Sequence, residues 1–147
     1  MLKDPTTKST PADIDKQFAQ GVSLYNSIST AMKLIDEMER RRATLLAAAK
    51  DPKQAKAARA LEDKIYQLES RLFDIHLTGA RWDKFRNHSM DLERFLAMAK
   101  EGIISSADAP PTDQQVEVYG ITNKELQEVE KAYNLLKQNA DWKKMKM

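Results

Sequence analysis

Cysteine is absent from this chain, so neither a disulfide framework nor a thiolate metal site can be built from it. That absence does not fix a compartment. Aromatic residues make up only 7% of the 147 residues, with 4 glycines and 5 prolines, which argues against a β-sandwich or a disordered tail. No apolar run approaches the roughly 18–20 residues that span a bilayer, so no membrane insertion is expected. The opening Met1-Leu2-Lys3-Asp4-Pro5-Thr6-Thr7-Lys8 has no apolar h-region, so no signal peptide is expected there. Charge of one sign is not concentrated anywhere. Residues 1–100 hold 18 basic and 14 acidic groups and residues 101–147 hold 6 and 8, a mild tilt without the basic stripe that nucleic-acid binding requires.

What is present points to helices. Charged residues reach 31% and apolar residues 41%, a balance that suits a water-facing helical domain long enough to bury a core. Residues 1–9 read as a flexible entry, 10–140 as a helical bundle and 141–147 as a frayed basic tail. Thr10-Pro11-Ala12-Asp13 supplies an N-cap, a proline at the first helical position and an acid in the first turn. Ile14, Phe18, Gly21, Tyr25, Ile28, Met32 and Ile35 then recur at spacings of three and four, the pattern of one helix face running to about Ala49. Asp51-Pro52-Lys53-Gln54 reads as a second cap. It opens a helix seamed by Ala58, Leu61, Ile65, Leu68, Leu72 and Ile75 and closed by Thr78-Gly79.

After an aperiodic connector at residues 80–88, Ser89 caps a short helix carrying Leu92, Phe95, Leu96 and Ala99, ended by Gly102. Pro110-Pro111 then forbids helix, and Thr112 with Gln115 three residues on restarts it with a capping box. Val116, Tyr119, Asn123, Leu126, Val129, Tyr133 and Leu136 form the last seam, with Gly120 placed to bend it. The expected fold is all-α: an antiparallel helical bundle of three long helices plus one short helix.

Chemistry-bearing residues are few. His76 and His88 are the only histidines, and no HExxH or Glu-x-x-His spacing holds them with carboxylates on one face, so no metal or cofactor is expected. His76 sits where a helix C-terminus favours an imidazolium. Arg40-Arg41-Arg42 with Lys33 offers a phosphate or membrane site, but Asp36, Glu37 and Glu39 lie within a turn and read as neutralising partners on a solvated face. The connector interleaves cations with aromatics, and Arg81, Trp82, Phe85 and Arg86 are the candidate partner contacts. The alternative is that Trp82 and Phe85 form a lid over the bundle end. Ser105 and Ser106 have no histidine at a useful spacing, and no Gly-rich phosphate loop exists. The chain is therefore expected not to be an enzyme.

The order of these features resembles the C-terminal helical region of bacterial sortilin-like, BNR-repeat β-propeller proteins, often labelled glycosyl-hydrolase-like. The pieces are Asp4-Pro5, the Ala12-Asp13-Ile14-x-x-Gln17 helix start, Leu68-Glu69-x-x-Leu72, Leu77-Thr78-Gly79, and Ser106-Ala107-Asp108-Ala109-Pro110-Pro111-Thr112-x-Gln114-Gln115-x-x-Val118-Tyr119. The last piece is the most specific, and the lysine- and methionine-rich end departs from the pattern. The resemblance implies a non-catalytic structural or interaction module that packs on β-propeller domains of a parent chain or of another protein, and an exported, periplasmic or cell-surface location. The alternative function is a free-standing helical adaptor that self-associates as a homodimer.

Overall fold

The computed structural model describes residues 8–73 and 110–145. Among the described residues all regular structure is helical: α1 (Pro11–Ala48), α2 (Ala55–Leu72), α3 (Asp113–Lys137) and the short α4 (Ala140–Lys144). This is an all-α bundle with three long helices.

Local signals set where the helices begin. At Thr10 the hydroxyl accepts the Asp13 N–H at 3.2 Å, and the Asp13 carboxylate accepts the Thr10 N–H at 2.9 Å. Two N–H groups that the first turn would leave without partners are thereby satisfied, and Pro11 follows with its fixed φ. The corner at Pro110-Pro111 repeats the device. Thr112 Oγ1 accepts the Gln115 N–H at 3.2 Å and Gln115 Oε1 accepts the Thr112 N–H at 2.9 Å. The expected box at Asp51 and Gln54 does not form. Asp51 Oδ1 instead accepts the Lys53 N–H, and its carbonyl takes the N–H groups of Gln54 and Ala55, closing a turn before α2 begins.

That short turn makes α1 and α2 antiparallel, which brings Arg42 opposite Glu62. α3 returns alongside α1 in the same direction as α1, since Tyr119 lies beside Ser23 and Ser27 while Lys137 pairs with Glu37. α2 ends sooner than its sequence suggests, because Phe73 takes an extended conformation straight after Leu72. Thr78-Gly79, the expected stop, and the expected short helix from Ser89 to Gly102 both lie outside the described residues.

The core is a continuous cluster of Leu24, Ala31, Leu34, Met38 and Leu45 from α1, Ala58, Leu61, Ile65 and Leu72 from α2, and Leu126, Val129 and Tyr133 from α3. Each large aliphatic side chain among them contributes about 1.5–3 kcal/mol by leaving water. The seams of α2 and α3 largely match their sequence patterns, although Leu68 is only half-buried and Val116 is exposed. The seam of α1 differs. Phe18, Tyr25 and Met32 face solvent, and the buried row lies about 100° around the helix from the expected one.

Two further differences concern the end of the chain. α3 runs unbroken through Gly120. Residues 141–145 of the tail expected to fray instead fold: Asn139 Oδ1 caps the Asp141 N–H at 2.8 Å, Trp142 packs on the core, and Met145 is buried.

Candidate functional site

The sequence-derived contacts Arg81, Trp82, Phe85 and Arg86 lie outside the described residues, as do His76 and His88. The tribasic run is described, and two of its arginines do structural work across helices. Arg42 reaches α2, with Nε 2.8 Å from Glu62 Oε1 and Nη1 2.9 Å from Glu69 Oε2, and its guanidinium stacks 4.9 Å over the Tyr66 ring. Burial works to lower the Arg42 pKa, but the hydrogen bonds it donates to Glu62 and Glu69, with the attraction of their charges, outweigh it and the value is raised. Arg41 lies 4.3 Å over the Trp142 ring and donates from Nη2 to the carbonyls of Trp142 and Met145 at 3.1 and 3.3 Å. Trp142 in turn meets Tyr133 edge-to-face at 5.6 Å. The neighbouring-acid pairing expected within α1 is replaced by these long-range contacts, because both guanidiniums point across the bundle.

Glu69 is the most unusual polar residue described. Its side chain is 1% exposed, yet it occupies the α2 face that packs on α1. Burial raises its pKa, the Arg42 guanidinium pulls the other way, and the nearby Glu39 carboxylate adds to the rise. Oε1 has no hydrogen-bond partner among the described residues. Tyr133 Oη is likewise buried with no close hydrogen-bond partner among the described residues, and burial, with the neighbouring Glu37 carboxylate, raises the phenol pKa. Both groups lie in the core and not at a surface that a substrate can reach.

A solvent-open cleft of about 310 Å³ lies between α1 and α3, lined mainly by hydroxyl and amide side chains including Ser27, Thr30, Asn123 and Gln127. Ser23, Ser27 and Thr30 recur at spacings of four and three on α1, opposite Asn123 and Gln127 one turn apart on α3. That polar spacing is visible in the sequence but carries no known motif. Ser27 Oγ donates to Asn123 Oδ1 at 2.9 Å and lies 2.9 Å from Tyr119 Oη, which donates to the Ser23 carbonyl at 3.2 Å. Neither an amide oxygen nor a neutral phenol is a base for a serine proton, and Glu130, the one carboxylate on the lining, is not among the hydrogen-bond partners of Ser27. The arrangement works as a polar clasp between helices.

Among the described residues no group of three or more histidine or acidic side chains is placed to hold a metal, and no helix is long and apolar enough to cross a membrane. The remaining candidate is a surface. Phe18, Val22, Tyr25 and Met32 are all exposed on α1, on the side of the helix away from α2 and α3. No family model matches the chain, and neither the characterised proteins nor the solved structures contain a match to it.

Proposed function

We propose that this chain is a non-catalytic helical interaction module that binds protein through α1. The observation that carries this reading is the second apolar face of α1, where four large apolar side chains stand exposed while the opposite face fills the core. Contiguous exposed apolar surface of this kind marks binding sites on soluble domains. The polar networks support the same reading, since Arg41, Arg42, Ser27 and Asn123 are engaged in joining helices. The resemblance of the proline corner to modules appended to β-propellers supplies a context: docking against propeller domains of a parent chain or another protein, in an exported bacterial protein. The aromatic connector with Arg81, Trp82, Phe85 and Arg86 is a second contact in that context.

Hydroxyl-radical footprinting tests the reading on Phe18, Tyr25 and Met32. These side chains are expected to be protected in intact cells that make the protein, relative to the purified chain at high dilution. Equal labelling in the two settings overturns it.

A further inference from the structure

Viewed down α1, positions 18, 22, 25, 29 and 32 fall within an arc of about 80°, since successive residues turn by about 100°. Four of the five are apolar and exposed: Phe18 by 62%, Val22 by 43%, Tyr25 by 67% and Met32 by 56%. Ser29 occupies the fifth place. The stripe has the alternating three and four spacing of a helix–helix seam. It points nearly opposite to the row of Leu24, Ala31, Leu34 and Met38, so among the described residues neither α2 nor α3 covers it.

The stripe has a centre. Phe18 and Met32 each lie seven residues from Tyr25. Asp15 and Lys33, both exposed, flank the stripe on one side. They are 18 residues apart, which is five full turns, so they project from the same line along the helix, about 27 Å apart. Their midpoint is position 24, within one residue of the apolar centre. An acid and a base placed symmetrically about an apolar centre match the same surface turned end for end.

Resting on the reading of α1 as a protein-binding face, we propose that the partner is a second copy of this chain, packed antiparallel, α1 against α1, about a two-fold axis near Tyr25. In that arrangement Phe18 meets the partner's Met32, the two Tyr25 rings adjoin, and Asp15 stands beside the partner's Lys33 at both ends of the contact. A parallel pairing puts each flank against the other flank of its neighbour and leaves Asp15 and Lys33 unmatched. Such a two-fold contact is self-complementary, the usual geometry of homodimers. The area is adequate. An aromatic side chain offers about 150–250 Å² when fully exposed, so the four side chains present on the order of 400–500 Å² per copy. Two copies with their charged rims therefore bury about 1,000 Å², the least that a specific interface should clear, which places the contact among the small, transient ones.

Sedimentation of the full chain over a micromolar-to-millimolar series tests this. A concentration-dependent monomer–dimer equilibrium is expected. Tyr25→Asp, which puts two carboxylates at the axis, should abolish it while leaving the circular dichroism and melting temperature unchanged. Asp15→Lys and Lys33→Asp should each weaken the dimer by about 5-fold, because exposed ion pairs are individually small and each change spoils two. The double swap should restore it. In a mixture of Phe18→Cys and Met32→Cys chains, oxidation should cross-link the unlike pair in preference to like pairs. A chain that stays monomeric throughout, or a dimer indifferent to Tyr25→Asp, overturns the proposal. Failure of the double swap to rescue overturns the antiparallel arrangement. A strictly monomeric chain whose stripe is nonetheless protected in cells sinks the second-copy partner alone and leaves the interaction-module reading standing.

Discussion

Replacing Arg42 with methionine would strip the buried Glu69 carboxylate of its counter-charge while keeping most of the side-chain volume. Glu69 is 1% exposed, so water cannot readily substitute for the guanidinium. Breaking a buried pair from one side typically costs about 3–5 kcal/mol. Glu62, with 18% of its side chain exposed, loses less. Removing both ends of the buried contact, Arg42→Met with Glu69→Met, should recover most of that loss, because two well-packed apolar side chains need no desolvation.

The pH dependence has a definite sign. The folded pKa of Glu69 is raised above its ordinary value, so the folded state holds its proton more tightly than the unfolded chain does. Stability from this group is therefore greatest below the ordinary glutamate value of about 4.3 and falls as pH rises through the folded pKa. In Arg42→Met the chief force lowering that pKa is gone, so the value rises further. The deficit relative to the parent protein should be largest where Glu69 is ionised and shrink as pH falls through its folded pKa. Urea melts of the parent, single and double variants across a series of pH values measure this. A single-variant loss below about 1 kcal/mol near neutral pH, or a loss that does not shrink with acid, would refute the account of a desolvated carboxylate held by Arg42.

Two other substitutions probe the remaining joints. Gly120 sits mid-helix in α3 with nothing within 4 Å of where a Cβ would stand, so Gly120→Ala should stabilise by about 0.5–1 kcal/mol in thermal melts. A loss would show that the helix needs glycine there. Trp142→Ala removes the surface on which Arg41 stacks and the edge that Tyr133 meets, and should cost about 2 kcal/mol by denaturant titration. An unchanged midpoint would mean that the segment around Trp142 frays, as its lysine-rich sequence suggests.

The three long helices and their starts were legible because the signals are local: the Thr10 cap with Asp13 in the first turn, and the Thr112–Gln115 box, each need only a four-residue window, although the reciprocal bond from Asp13 to Thr10 was not anticipated. The α3 seam of Leu126, Val129 and Tyr133 was legible for the same reason. The α1 seam was not, because that helix carries two apolar rows. Periodicity detects both but cannot say which one the rest of the chain will cover, and the choice fell on Leu24, Ala31, Leu34 and Met38 in place of the bulkier Phe18, Tyr25 and Met32. The cross-helix pairing of Arg41 and Arg42 was hidden by nearer acids in sequence. Most of the candidate surface was thus present in the sequence under another description: three of its four apolar residues had been assigned to the core.

The link between Arg41 and the carbonyls of Trp142 and Met145 joins residues 101 and 104 positions apart. Contacts that close so large a loop form late, whereas α1 and α2, joined by one tight turn, can pair on their own. During synthesis the first hairpin therefore emerges with its pairing surfaces complete, while the groove meant for α3 and α4 stays wet until residue 145 leaves the ribosome. The second apolar row of α1 is exposed throughout that interval, on the side of the helix away from the core row. A nascent chain in this state shows apolar surface on two sides of α1, the outward row and that part of the core row which α3 later covers.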